Sequence, residues 1–273
     1  MGESKPVVIR SAANPRIRHL IRMRDNRARR KAESILVDGW RETTRALDAG
    51  LTLNQLYIPE SATDQILGPT ADRTADRTTI VSDSLMQKIC YGNSSRGVVA
   101  EFDRPGQSID QLRLRETPLV LVLDRIEKPG NVGAIFRCAD AAGIDAILLC
   151  ESADPLNPNA IRNSLGSVFH VQSAAGTEAD LGKFLVDHQI AAVAARVQSS
   201  TPLWEADLRG PLAVIVGSEA DGLGDRWSHL GAAATDRIEI PGVRIPMLGR
   251  GDSLNVAMSA AVICYEARRQ RQP

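Results

Sequence analysis

The chain of 273 residues carries no net charge, since 33 Lys and Arg offset 33 Asp and Glu. Its four cysteines, Cys90, Cys138, Cys150 and Cys264, are scattered, and no C-x-x-C occurs. That spacing excludes a paired-cysteine metal or redox motif and predicts buried free thiols in a reducing compartment. No stretch approaches the ~20 consecutive apolar residues of a membrane-spanning helix. The N-terminus has charges but no apolar core segment, so the expectation is a cytoplasmic protein without a signal peptide and with no membrane partner. The histidines His19, His170, His188 and His229 form neither H-E-x-x-H nor a cluster with cysteine, and no metal is expected. Two nucleotide-binding signatures are missing as well. There is no G-x-G-x-x-G, and the glycine-bearing turn KPGNVGAIFRCADAAG (128–143) lacks the lysine of a P-loop.

What is present is a globular composition, 43% hydrophobic, on a chain long enough for two domains. The charge is unevenly spread. Residues 1–34 hold ten basic side chains, from Lys5 to Lys31, against the acids Glu3, Asp25 and Glu33. A basic leader on a neutral chain fits a polyanionic partner, and it also fits a solvated terminus.

Asn14 to Arg30 reads as one basic helix, 34–39 as a strand, and 39–50 as a helix closed by Gly50. Alternation ending at Pro59 predicts a strand over 53–59. The repeated polar unit TADRTADRTT (70–79) reads as a surface loop. A helix over 82–90 and a strand over 97–102 complete a small α/β unit. Residues 106–117 are polar and follow a proline, so the domains are set at 1–105 and 118–273 with a linker between them.

The second half has another texture. LVLVLD (119–124) is a continuous apolar run, as expected of a strand buried on both faces. Helices are predicted over 131–142, 157–166, 178–189 and 253–272, with strands over 145–150, 190–195 and 212–217. Such alternation implies a parallel sheet with helices on both faces, whose ligands bind at the carboxyl ends of the strands. Three loops lie where a ligand would sit: 124–137, 216–224 and 245–256. Each alone is explained by turn chemistry.

Together they carry a resemblance. Asn131-Val132-Gly133 with Arg137, then Gly217-Ser218-Glu219 with Gly222-Leu223, then Ile245-Pro246-Met247 with Ser253-Leu254-Asn255-Val256 resemble, in order and spacing, the SPOUT superfamily. More narrowly they resemble the TrmH/SpoU-type RNA ribose 2′-O-methyltransferases, over about 118–270. ILVDGWRETTRALDAG is similar, more loosely, to that family's small L30e-like substrate-binding domain. One departure is a second Ile-Pro, Ile240-Pro241, ahead of the third motif. The resemblance implies a C-terminal trefoil knot, S-adenosylmethionine as cofactor, an RNA substrate and a homodimer. It implies catalytic roles at Arg137, Asn131, Glu219, Ser253 and Asn255. Cofactor contacts are implied at Gly217, Ser218, Ile245, Met247, Leu254 and Asn255.

Methyl transfer from a sulfonium to a ribose hydroxyl needs positioning and stabilisation of the forming alkoxide. Arg137 serves this as a charged group holding an RNA phosphate, or as a base if neutral. Its high pKa favours the first. Asn131 orients Arg137 or the ribose, or caps its helix. Glu219 pairs with Arg137 or orients substrate, and Ser253 caps the last helix or contacts substrate. Ribosomal RNA is favoured over transfer RNA by the two-domain layout. Two rivals stay open. A nicotinamide-dependent Rossmann enzyme would use Glu151, eighteen residues after Gly133, on a ribose. A non-catalytic RNA-binding relative would keep the fold alone.

Overall fold

The structure, a computed structural model, describes residues 8–62, 71–93, 97–198, 200–219, 221–231 and 237–272. Lys5 and Glu3 of the basic leader, and Thr70 at the start of the polar repeat, lie outside them. The chain divides into two compact units. The first is Met1–Gly106 with Leu156–Phe169, and the second is Gln107–Pro155 with His170–Pro273.

In the first unit, strands β1 (Val8–Ile9), β2 (Ser34–Asp38), β3 (Leu53–Pro59), β4 (Thr78–Val81) and β5 (Val99–Asp103) form a mixed sheet in the order β1-β4-β3-β5-β2. The region expected to be one basic helix is two, α1 (Pro15–Arg22) and α2 (Asn26–Arg30). The break has a local cause. The Asp25 carboxylate accepts the N–H groups of Arg27 and Ala28 at 2.9 and 3.0 Å and starts a new helix. Arg24 turns inward onto buried Asp38, with Nη1 to Oδ2 at 2.6 Å and Nη2 to Oδ1 at 2.8 Å. Ile17, Leu20 and Met23 enter a core with Leu36, Tyr57 and Val99, while Arg16, Arg18, Arg22 and Arg27 remain exposed. Helix α3 (Trp40–Asp48), the short α4 (Ala71–Thr74) and α5 (Asp83–Ile89) also lie in the unit's first segment. Thr78 and Thr79, expected in a loop, belong to β4, which pairs in parallel with β3.

In the second unit, seven parallel strands run in the order β10-β14-β9-β11-β6-β7-β8. They are β6 (Leu119–Asp124), β7 (Ala146–Cys150), β8 (Gln172–Gly176), β9 (Ala191–Ala195), β10 (Ser200–Pro202), β11 (Leu212–Val216) and β14 (Gly242–Arg244). The short β12 (His229–Leu230) and β13 (Ile238–Glu239) pair with each other. Helix α6 (Pro129–Ala142) starts with proline at N1 and ends on left-handed Gly143, which suits both residues. Helix α7 (Pro158–Ser164) clusters with the first unit, contacting β2. Helix α8 (Glu178–Asp187) packs Leu181 and Leu185 against Val120, Val122, Leu148 and Ile215 on one sheet face. On the other, α9 (Val256–Gln270) packs against α6 and β11. The central strands β6, β7 and β11 are therefore buried and apolar without alternation, because both faces are covered.

Of residues 106–117, expected as a linker, all but Gly106 belong to the second unit. Ile109, Leu112 and Leu114 pack on its core, and the Gln107 carbonyl accepts the N–H of Ala175 on edge strand β8. Arg115 grips the buried Asp145, with Nε to Oδ1 at 2.6 Å and Nη2 to Oδ2 at 2.8 Å. No described helix is long and apolar enough to cross a membrane.

Candidate active site

The site is built at the carboxyl edge of the parallel sheet, where β6 and β11 lie side by side. After β11 the backbone doubles back at once. Gly222 N–H donates to the Ser218 carbonyl at 3.1 Å, and the two residues form an antiparallel bridge. This closure accounts for Gly217. A Cβ there would stand 2.4 Å from the carbonyl carbon of Gly222 and 2.7 Å from the nitrogen of Leu223, far inside contact distance. The glycine is demanded by the loop's own backbone.

The turn presents Glu219 to two other segments. Its carboxylate takes the Lys128 ammonium as an ion pair and accepts Nδ2 of Asn255. Asn131 joins the same cluster through Asn255. Asn255 Nδ2 lies 3.3 Å from Asn131 Oδ1. Asn255 is held at its other end, because its Oδ1 caps α9 by accepting the Ala257 N–H at 3.0 Å. With its oxygen committed, the amide must turn its NH2 toward Glu219 and Asn131. The hydrogen bond from Lys128, backed by the nearby Asn131 side chain, holds the Glu219 carboxyl below the usual carboxylate range. A carboxylate so surrounded by donors orients its neighbours and is a poor proton acceptor.

A second network fixes the same loop. Asp124, at the end of β6, is fully buried and faces Arg226 Nη2 at 2.9 Å and Arg125 Nε at 3.2 Å. Arg226 also reaches Glu151 and Glu178, each at 3.2 Å. The backbone N–H of Trp227 donates to Glu178 at 3.0 Å, and the indole ring is buried in the core. A buried carboxylate needs such pairing to remain charged. Burial, with Asp124 nearby, pushes the Cys150 thiol up to about 12, so this cysteine is an inert filler. Sequence reasoning missed this network and Lys128. The available signals were an acid closing an apolar strand and a cation directly before Pro129.

The structure thus gathers Asn131, Glu219 and Asn255 into one cluster. Glu219 meets Lys128 where Arg137 had been considered as its partner. Arg137 is exposed on α6 and makes no hydrogen bond or ion pair with another described residue. Asn131 is not the helix cap, since Lys128 holds that position. Ser253 does not cap α9. Asn255 does, the helix starts at Val256, and Ser253 Oγ lies 3.4 Å from Asp252 Oδ1. Ser218 lies in the tight turn, where its Oγ accepts the Asp221 N–H at 3.1 Å. Ile245 is half-buried, and Met247, Leu248 and Leu254 are exposed along a segment that joins neither sheet nor helix. Backbone N–H and C=O groups uncommitted to secondary structure, beside apolar side chains, fit an adenosine- and methionine-bearing cofactor. Ile240 is buried in the core and Pro241 accepts the Ala194 N–H, so the extra Ile-Pro serves the sheet. Glu151 pairs with Arg226, which occupies the acid that a nicotinamide enzyme would need. Among the described residues no group of three metal-ligating side chains occurs.

Comparison with known proteins agrees with this architecture. Residues 118–265 match the SpoU rRNA Methylase family, and residues 14–100 match the MRM3-like substrate binding domain. A solved RNA 2′-O ribose methyltransferase is 37% identical with a TM-score of 0.80, over 97% of this chain and 99% of that one. The AdoMet-bound rRNA methyltransferase of Sinorhizobium meliloti has a TM-score of 0.84 at 26% identity, covering 99% and 100%. The 23S rRNA (uridine(2479)-2′-O)-methyltransferase of Streptomyces viridochromogenes is 28% identical, covering 99% of this chain and 95% of that protein. With more than half its length matched, the chain belongs to the SpoU rRNA methylase family.

Proposed function

We propose that this protein transfers a methyl group from S-adenosylmethionine to a ribose 2′-hydroxyl of ribosomal RNA, working in the cytoplasm. The observation that carries the reading is the convergence of Asn131, Glu219 and Asn255, from three separate motifs, at the carboxyl edge of a parallel sheet. Relatives named for 23S rRNA 2′-O-methylation, matched over nearly their whole length, support ribosomal over transfer RNA.

In the reaction the ribose oxygen attacks the methyl carbon. A C–O bond forms, the C–S bond breaks, and its electron pair stays on sulfur, leaving S-adenosylhomocysteine. The hydroxyl proton goes to water, because Glu219 is held as an ionised acceptor by Lys128 and Asn255. Asn131 and Asn255, fixed through Glu219, orient the ribose. Arg137, exposed and without a hydrogen-bond or ion-pair partner among the described residues, holds an RNA phosphate bidentately and offsets charge developing on the oxygen. The cofactor is assigned to the backbone at Gly217 and Ser218 and to Ile245, Met247, Leu254 and Asn255, with Ser253 at its edge. A trefoil knot belongs to this reading. It is supported by the chain's passage from β11 past β9 to β14 and its return to α6.

The homodimer is supported by α9. Its Ala260, Ile263, Cys264 and Ala267 are buried within the protomer, whereas Met258, Ala261, Val262 and Tyr265 form an outward stripe at helical spacing. Met258 and Tyr265 are 54% and 52% exposed, and a second copy laid across the stripe would cover them.

Purified protein incubated with methyl-labelled S-adenosylmethionine tests the reading. Label is expected in 2′-O-methylated nucleosides of a 23S rRNA transcript. Stabilisation by NAD in place of S-adenosylmethionine, or label confined to transfer RNA, would refute it.

A further inference from the structure

We infer that Lys128 is a second phosphate-positioning residue of this site, distinct from Arg137, and that it sets how the RNA backbone lies over Asn131 and Asn255. The inference rests on the reading of the protein as an RNA ribose methyltransferase. Lys128 is the N-cap residue of α6, yet its side chain makes no capping hydrogen bond. Its ammonium instead crosses to Glu219. The Lys128 side chain is 73% exposed, so Glu219 uses one face of the ammonium while the other donors point to solvent. An exposed ion pair of this kind contributes little to stability. Its placement is what distinguishes it.

Glu219 brings one full negative charge into a site whose substrate is itself a polyanion. Asn255 is a neutral donor, so Lys128 is the cation of the two groups hydrogen-bonded to Glu219 among the described residues. Without it, the orienting carboxylate would repel the phosphates flanking the acceptor ribose. With it, the carboxylate is offset and a solvent-facing cation is held within the cluster that orients the ribose. Arg137 lies nine residues further along, makes no bond to this cluster, and serves a separate contact. A flexible stem and a point charge suit a phosphate whose exact direction varies between nucleotides.

Salt dependence separates this role from a structural one, because each phosphate contact releases counterions. Binding of a 23S rRNA transcript would be measured across a salt series for the wild type, Lys128→Ala and Lys128→Arg, with S-adenosylmethionine affinity and melting temperature in parallel. Lys128→Ala should weaken RNA binding about three- to tenfold and lower the slope of log affinity against log salt by about 0.7–0.9. Lys128→Arg should restore the slope, and all three proteins should bind cofactor alike. An unchanged slope in Lys128→Ala, with methyl transfer intact in the wild type, overturns the role of Lys128 and leaves the enzyme reading standing. A pH-profile change without a slope change does the same, since it reduces Lys128 to a partner of Glu219. A wild type that transfers no methyl to any RNA sinks the enzyme reading and this inference with it.

Discussion

At the scale of single residues, the cluster divides labour by chemistry. Glu219 is an ionised acceptor, Asn131 and Asn255 are oriented amides, and Arg137 is an exposed cation. Arg137→Ala should lower turnover by about a hundredfold or more, as expected when a group stabilising developing charge is lost. It should leave S-adenosylmethionine affinity, read by calorimetry, within a few-fold. Arg137→Lys should recover little, because an ammonium cannot reproduce the bidentate fork. Glu219 adds a pH signature. Its folded pKa is depressed, so what its ionised form contributes is complete above the ordinary value of about 4.3 and is lost as pH falls through the lower folded value. The carboxylate therefore stays ionised down to unusually acid conditions. An activity profile with no carboxylate limb between about pH 5 and 8 is expected; a Glu219-dependent limb there, absent in Glu219→Gln, would contradict the assignment.

At the scale of elements, the β11 loop is shaped by its own backbone. Gly217→Ala should cost about 1–3 kcal/mol of stability, since the added methyl meets backbone that no rotamer change can move aside. It should also weaken S-adenosylmethionine binding, and a calorimetric isotherm equal to wild type would show that the turn tolerates displacement. Elements such as these were legible where local chemistry decides. The apolar run at 119–124 and a helix over 131–142 read directly from the sequence, as did the three motif loops, although the helix begins two residues earlier, at Pro129. What was not legible depends on tertiary partners. The inward turn of Arg24 follows from its meeting with Asp38, and the seating of 109–114 follows from an edge strand far along the chain. Likewise 157–166 was recognisable as a helix, but nothing local tells that Leu156–Phe169 belongs with the first unit. The site's residue types were visible beforehand; the pairing of Glu219 with Lys128 and the cap at Asn255 needed coordinates.

At the scale of the whole molecule, two units and a two-fold partner are asked to act together. Neighbouring alanines on α9 separate folding from assembly. Ala260 is fully buried in the protomer, so Ala260→Glu should unfold it, whereas half-exposed Ala261 should accept Glu and lose only the dimer. Sedimentation and circular dichroism of the two variants would read this, and wild type running as an active monomer would remove the dimer from the account. The central claim concerns chemistry on RNA, and its most direct test is a map of ribose methylation across total cellular RNA with and without the gene. The account predicts one or a few 2′-O-methyl marks on ribosomal RNA that vanish with the gene and return with the wild-type protein but not with Arg137→Ala. Unchanged ribosomal RNA marks, or marks restored in full by Arg137→Ala, would contradict it.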